Sequence, residues 1–429
     1  MRLGGRLAAA IEVLEDIERR HRPAADALKD WGLSHRFAGA GDRAATGNIV
    51  YDGLRRRRSA GWLVGADTPR AVAIGALLIE ARMTPDTLNA ALDGDKFAPE
   101  PLSADEIAGI KSRESAMAPD EIRADSPDWC VPLIKSALGA NWADEAAALA
   151  ARPPLDLRVN TLKSDRDKVL RELAPTGAAP AALAADGIRI PPIAGAGRHP
   201  NVQAEGAFQK GWFEVQDEGS QLVATLAAGG VGDHVLDYCA GAGGKTLALS
   251  ALSGNHGQIF AFDAEKVRLA PIYDRLKRAG SHNVQVISHA GGLEQLKGKM
   301  DLVLVDAPCT GSGTWRRRPD AKWRLTARQL DVRKGEQAAI LDAASAYVRP
   351  GGRLAYITCS IFEDENRLQT EAFVDRKPAF RPENHAELWA KAIAADPARA
   401  RVDTKAGISL TPALTGTDGF YFCALRNAG

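Results

Sequence analysis

Two cysteines sit where chemistry could happen. Cys309 lies in Asp306-Ala-Pro-Cys-Thr-Gly-Ser-Gly313 and Cys359 in Tyr356-Ile-Thr-Cys-Ser360. Each follows an apolar run, Asp301-Leu-Val-Leu-Val305 or Arg353-Leu-Ala-Tyr-Ile-Thr358, that reads as a buried strand. Two strands of one sheet can bring both thiols to one cleft, and a thiol there is a nucleophile once its thiolate is stabilised. A lone cysteine of this kind is more often a packed thiol. Two at equivalent strand ends, beside an acid and a glycine loop, favour chemistry.

That glycine loop is Asp237-Tyr-Cys-Ala-Gly-Ala-Gly-Gly-Lys-Thr246. Glycines permit a sharp strand-to-helix turn and close approach to a ligand, and the helix start offers free N–H groups. It is not a phosphate loop, because the first glycine required ahead of Lys245 falls at Cys239. Asp263 ends the next strand, about twenty residues on, where an acid can accept both hydroxyls of a ribose. A tight turn and a solvated acid are the bland readings of each alone. Jointly, Cys239, Ala240, Gly241, Ala242, Gly243, Gly244, Lys245 and Asp263 fit a dinucleotide or S-adenosylmethionine equally. In Trp315-Arg-Arg-Arg-Pro-Asp-Ala-Lys-Trp-Arg324 basic residues alternate with tryptophans, a pattern that neutralises phosphates and stacks on bases. The run Arg55 to Arg58 reads rather as a solvated helix face.

The elements that must position these residues follow from periodicity. A chain of 429 residues, 45% hydrophobic and 25% charged, is globular and holds about two to four domains. Residues 1–118 read as five or so short helices with no strand signal, with Thr68-Pro69 opening one and the capping box Ser103-Ala-Asp-Glu106 another. Residues 119–130, with Pro119 and Pro127, read as a linker, and 129–151 as helical again. Leu155 to Asn160 and Gly187 to Ile190 read as strands of a small α/β subdomain over 119–210. From 211 to 429 strand and helix alternate: Val235–Asp237, Gln258–Phe262, Val284–Ile287, the two cysteine strands, and Phe420–Leu425. That alternation predicts a doubly wound α/β sheet with ligands at the carboxyl ends of its strands. Five scattered cysteines make no disulfide framework, and no Cys-x-x-Cys or His pair has metal-ligand spacing, so no metal is expected. A net charge of +1 leaves nucleic-acid binding to local patches. With no apolar span of membrane length and no signal-like start, the chain is expected to be cytoplasmic.

Asp-Ala-Pro-Cys-Thr-Gly-Ser-Gly, Thr-Cys-Ser, Gly-Gly-Lys-Thr and Arg-Pro-Asp-x-Lys-Trp together resemble the Sun (RsmB-type) family of RNA cytosine-5 methyltransferases. The likeness extends to Arg158-Val-Asn-Thr-Leu-Lys163, Val215-Gln-Asp-Glu-Gly-Ser-Gln221 and Asp418-Gly419-Phe420. Asp42-Arg43 and Tyr51-Asp-Gly-Leu-Arg55 resemble the NusB-like RNA-binding domain of the bacterial ribosomal branch. The resemblance implies a Rossmann-like class I methyltransferase domain, S-adenosyl-L-methionine as cofactor and RNA, ribosomal RNA in the first place, as partner. It assigns Cys359 to attack cytosine C6, Cys309 to assist release, and Asp306 to the pyrimidine edge and the cofactor site. Cofactor contacts fall on Cys239 to Lys245 and on Asp263, and RNA contacts on Arg158, Asn160, Arg316, Arg317, Arg318, Lys322 and Arg324. Two departures stand out: Ala242 replaces the family's usual proline, and His289 takes the place of the usual acid near the adenine. The competing readings are a DNA cytosine-5 methyltransferase, in which the Pro-Cys cysteine attacks, and a non-catalytic RNA-binding ribosome assembly factor. The Thr-Cys-Ser motif argues against the first, and the intact cysteines and loop against the second.

Overall fold

Runs of β-branched and aromatic residues, closed off by glycines and acids, become strands in this chain. The computed structural model describes residues 1–429 apart from 194, 196, 230 and 231. The chain divides into two compact units: Met1–Pro153 with Pro192–His199 and Trp315–Leu325, and Pro154–Pro191 with Pro200–Thr314 and Thr326–Gly429.

The first unit is helical. Among the described residues, 1–118 hold seven helices rather than about five: Leu3–Arg20, Ala24–Ser34, Ala40–Arg55, Arg57–Val64, Pro69–Glu80, Pro85–Leu92 and Ala104–Glu114. Their apolar faces bury Leu7, Val50, Ile74, Leu88 and Ile110 in one core. Thr68 caps its helix by accepting from the Ala71 N–H, and both halves of the Ser103–Glu106 capping box are formed. The segment expected as a linker carries a short helix, Asp120–Arg123, and a 3-10 turn, Asp128–Cys130, before helices Val131–Leu138 and Trp142–Leu149. Trp315–Leu325 belongs here although it follows the Cys309 loop in sequence. The Trp323 indole N–H donates to the Leu54 carbonyl at 2.6 Å and the Lys322 ammonium to the Arg55 carbonyl at 3.3 Å. They satisfy the last carbonyls of helix Ala40–Arg55, which have no partner within the helix.

Among the described residues the second unit contains two sheets. β1 (Leu155–Val159), β2 (Ala179–Pro180), β3 (Gly187–Ile190) and β4 (Phe213–Val215) form an antiparallel sheet in the order β2-β3-β1-β4. The larger sheet holds β5 (His234–Asp237), β6 (Gln258–Phe262), β7 (Val284–Ile287), β8 (Met300–Asp306), β9 (Val348–Thr358), β10 (Phe380–Pro382), β11 (Arg401–Asp403), β12 (Gly407–Leu410) and β13 (Phe420–Asn427). Its order is β11-β12-β13-β9-β8-β5-β6-β7, with β10 on β13. β5 to β9 are parallel, whereas β13, β12, β11 and β10 are antiparallel to their neighbours. The doubly wound core is therefore joined to an antiparallel edge, of which the sequence pattern predicts only β13. The chain leaves β5 outward through β6 and β7, then returns to its other side through β8 and β9. The order reverses between β5 and β8, and ligands of such sheets bind beyond the carboxyl ends at that reversal. Both faces are covered, so Leu236, Val303, Leu304 and Ile357 are fully buried. Among the described residues no single helix is long and apolar enough to cross a membrane.

Candidate active site

β8 and β9 run side by side, with Asp306 opposite Ile357. Cys309 follows β8 by three residues and Cys359 directly follows β9, so the two loops face each other. The sulfurs are 3.4 Å apart. Tight backbone packing underlies this. The Gly313 N–H donates to the Cys359 carbonyl at 3.0 Å, and the Gly419 N–H to the Gly313 carbonyl at 2.8 Å. A Cβ on Gly313 would stand 2.1 Å from the Gly419 carbonyl oxygen, so both glycines are required for the backbones to meet. This explains the Asp418-Gly419-Phe420 motif, which holds the loop after Cys309 from the neighbouring strand β13. Ser312 and Ser360 complete the junction with a 2.9 Å hydroxyl contact.

Cys309 is pushed well above the ordinary thiol range, first by its hydrogen bond to Cys359, then by burial and by the charges of Cys359 and Glu365. Cys130 and Cys423 are also raised, to about 12, but by burial, as expected of packed thiols.

The glycine loop follows β5. Gly241 and Gly243 have φ of +49° and +83°, and a Cβ on Gly243 would strike Ile272 at 2.5 Å. At Gly241 and Gly244 an added Cβ would meet nothing nearer than 3.6 Å, which leaves an open cradle at the start of helix Gly244–Leu252. The Ala242 carbonyl accepts from Arg275 at 2.7 Å, so the loop is held without the proline. Asp263, only 4% exposed, accepts from the Gly241 N–H and the Glu265 N–H, both at 2.9 Å. Its carboxylate therefore anchors the loop as well as ending β6, and its oxygens retain lone pairs for further donors. Lys245 donates to Asp306 at 2.5 Å. Asp237, buried, accepts from the Thr246 hydroxyl at 2.7 Å, while its other oxygen has no hydrogen-bond partner among the described residues. Burial raises its pKa to about 7. His289 lies beyond β7, exposed, with Nδ1 accepting from the Gly292 N–H at 3.1 Å.

The family model described as 16S rRNA methyltransferase RsmB/F matches residues 224–426. A second, the RsmF/B-like ferredoxin-like domain, matches 126–192. Ribosomal RNA small subunit methyltransferase B of Escherichia coli O6:K15:H31 is 35% identical over 254 residues, 58% of each chain. Its counterpart in Enterobacter sp. strain 638 is 33% identical over 308 residues, 70% of this chain and 66% of that one. The chain belongs to the Sun (RsmB-type) family. It thus spans 58% to 66% of the length of these curated relatives. The crystal structure of PH0851, 24% identical, covers 99% of this chain and 100% of its own with a TM-score of 0.71, and so shares the fold.

Most of the residues that the resemblance to the Sun family assigns to RNA are buried or paired in this structure. Arg158 and Asn160 are buried: Arg158 donates to the Gln216 side chain at 2.6 Å, and Asn160 to the Gly211 and Ala279 carbonyls at 2.8 Å. They tie β1 to its surroundings. Arg316 and Lys322 are also buried, and burial lowers the Lys322 pKa to about 8. Arg324 pairs with Asp320 at 2.9 Å and Arg317 is half-buried, while Arg318 is exposed. Arg55, expected in a solvated face, is buried against Asp52, and Arg56, Arg57 and Arg58 each pair with acids. Sequence reasoning missed Glu365, a buried carboxylate beside the Cys309 loop. Its only sequence signal is an acid six residues beyond Cys359, which looks like any solvated turn.

Proposed function

We propose that this chain is an S-adenosylmethionine-dependent RNA (cytosine-5) methyltransferase of small-subunit ribosomal RNA, working through a covalent cysteine–C6 adduct. The observation that carries the reading is the pair of sulfurs 3.4 Å apart beyond β8 and β9, beside a glycine loop with an acid at the end of the next strand. The names of the relatives support the substrate class. The segment 1–118 is read as a NusB-like RNA-binding domain, 119–210 as an RNA-recognition subdomain and 211–429 as the catalytic domain.

The residues present fit the cofactor. The Gly241–Gly244 cradle is open, helix N–H groups line its end, and Asp263 keeps acceptor capacity for ribose hydroxyls. Bound there, S-adenosylmethionine supplies an electrophilic methyl group. Cytosine C5 is too weak a nucleophile to take it unaided. The Cys359 thiolate adds to C6 and the C5–C6 electron pair becomes enamine-like, so that C5 could take the methyl group, whose bond to the sulfonium sulfur would break with its electron pair left on a neutral thioether. Asp306, held by Lys245 at 2.5 Å, would accept from the exocyclic amino group at the pyrimidine edge, and the Lys245 ammonium beside it would offset the negative charge that develops on the ring. A base then takes the C5 proton, the pair returns to C5–C6, and the C6–S bond breaks to release the Cys359 thiolate. Cys309, held protonated, donates to that leaving sulfur.

Denaturing gels of each cysteine variant with ribosomal RNA and cofactor test this. Cys359→Ala should form no conjugate and no product. Cys309→Ala should methylate once and stall as a protein–RNA conjugate. A conjugate from Cys359→Ala but not Cys309→Ala reverses the roles, and undiminished methylation in both refutes covalent catalysis.

A further inference from the structure

Glu365 is fully buried in the turn Glu363–Glu365 that follows Cys359, yet its carboxylate serves the other cysteine loop. Oε1 accepts from the Thr310 N–H at 2.8 Å and from the Gln337 amide at 3.0 Å, and Oε2 accepts from the Thr310 hydroxyl at 2.5 Å. Thr310 is the residue after Cys309, and the same Gln337 amide donates to the carbonyl of Pro308, the residue before it, at 2.9 Å. The next residue performs the matching task on the nucleophile's own loop. Asn366 donates to the Ser360 carbonyl at 2.9 Å and accepts from the Thr358 hydroxyl at 2.5 Å, bracketing Cys359. Adjacent residues thus clamp the two cysteine loops, and the Tyr356 hydroxyl fixes the turn by donating to the Glu365 carbonyl at 2.6 Å.

We propose that Glu365 is the positioning residue that holds Cys309 against Cys359, so that the adduct formed by Cys359 can be resolved. This rests on the methyltransferase reading above. The Cys309 loop needs such a tie. It lies beyond the end of β8 and turns through Gly311 at φ +69°, so no strand ladder fixes it. A carboxylate removed from water is held only where donors satisfy it, and here they are the loop's own N–H and hydroxyl. The charge has a second effect. The titratable groups acting on Cys309 are Cys359 and Glu365, and Tyr356 in turn feels both Cys309 and Glu365. A fixed negative charge at 365 disfavours a thiolate at 309, which keeps Cys309 a donor while Cys359 attacks.

Two substitutions separate tie from charge. Glu365→Ala removes the tie. Glu365→Gln preserves it, because the amide oxygen can replace Oε1 and the Thr310 hydroxyl can turn to accept from the amide nitrogen, but it removes the charge. The assay is multiple-turnover methylation of small-subunit ribosomal RNA, with conjugate scored on denaturing gels and kcat followed against pH. Glu365→Ala should lose about 100-fold in turnover, as for a reacting group misplaced by about 1 Å, and should accumulate conjugate with KM for S-adenosylmethionine unchanged. Glu365→Gln should recover most of the turnover, with the alkaline limb of kcat moved to lower pH. A Glu365→Ala protein that turns over at the wild-type rate, or binds cofactor but forms no conjugate, overturns the proposal. If Glu365→Ala does not fold, Thr310→Val, which removes the hydroxyl half of the tie, decides alone: wild-type turnover with no accumulated conjugate overturns the proposal. A wild type that methylates no RNA overturns the underlying reading as well, whereas a defect confined to the variants' release step supports the clamp.

Discussion

Replacing Asp263 tests the cofactor site most directly. Its carboxylate holds the Gly241 N–H and the Glu265 N–H, each at 2.9 Å, and in the proposed complex it also accepts from ribose hydroxyls. Asp263→Asn keeps an oxygen for Gly241 but removes the charge. A hydrogen bond to a charged group contributes about 1.5–3 kcal/mol, so S-adenosylmethionine should bind about 10- to 150-fold more weakly. Asp263→Ala also strands the Gly241 N–H, which is buried. Leaving such a donor unpaired costs about 1–3 kcal/mol and loosens the loop, so Asp263→Ala should bind at least about fivefold more weakly than Asp263→Asn. Isothermal titration with the cofactor measures both, and Cys359→Ala, which leaves the cradle intact, should match the wild type. Undiminished affinity in Asp263→Ala would refute the assignment, and equal losses in both variants would refute the loop-anchoring role.

Three further outcomes follow from the same geometry. Asp237 has its folded pKa raised to about 7 by burial, so its contribution to stability falls as pH rises from the unfolded carboxylate value toward 7. Asp237→Asn should therefore gain about 2 kcal/mol more over wild type at pH 7.5 than at pH 5 in urea unfolding, and a pH-independent difference would contradict the assigned burial. Gly313→Ala places a Cβ 2.1 Å from the Gly419 carbonyl oxygen, where only backbone can move, and should destabilise the protein by about 2–3 kcal/mol in urea unfolding; an unchanged midpoint would mean the loops part easily. Arg318 is exposed and Lys322 buried, so Arg318→Ala should reduce the slope of log RNA affinity on log salt by about 0.7–0.9 for each phosphate the arginine neutralises, while Lys322→Met should leave the slope unchanged and alter stability instead.

The succession of strands along the parallel core and the placement of motifs at their ends were legible in the sequence alone. Gly187–Ile190, Gln258–Phe262 and Val284–Ile287 form with the boundaries expected, and the Thr68 and Ser103 caps are made. These features are local. A buried parallel strand is an unbroken apolar run, a cap is a hydroxyl three residues from its N–H, and a sharp turn needs glycine wherever it occurs. Cys309 and Cys359 could be placed in one cleft because both end strands of one sheet. What the local pattern could not reveal is where charge is spent. Arg158, Asn160, Arg316 and Lys322 look like exposed polar residues within their own segments, but each is buried, Asn160 and Lys322 against partners as distant in sequence as Ala279 and Arg55. The small strands β10, β11 and β12 exist because β13 offers an edge to pair with, not because their own short sequences demand extension. Glu365 becomes a clamp only when Thr310 and Gln337, 55 and 28 residues away, are folded around it. A carboxylate's environment is set by which donors replace its water, and only the tertiary structure brings those donors together.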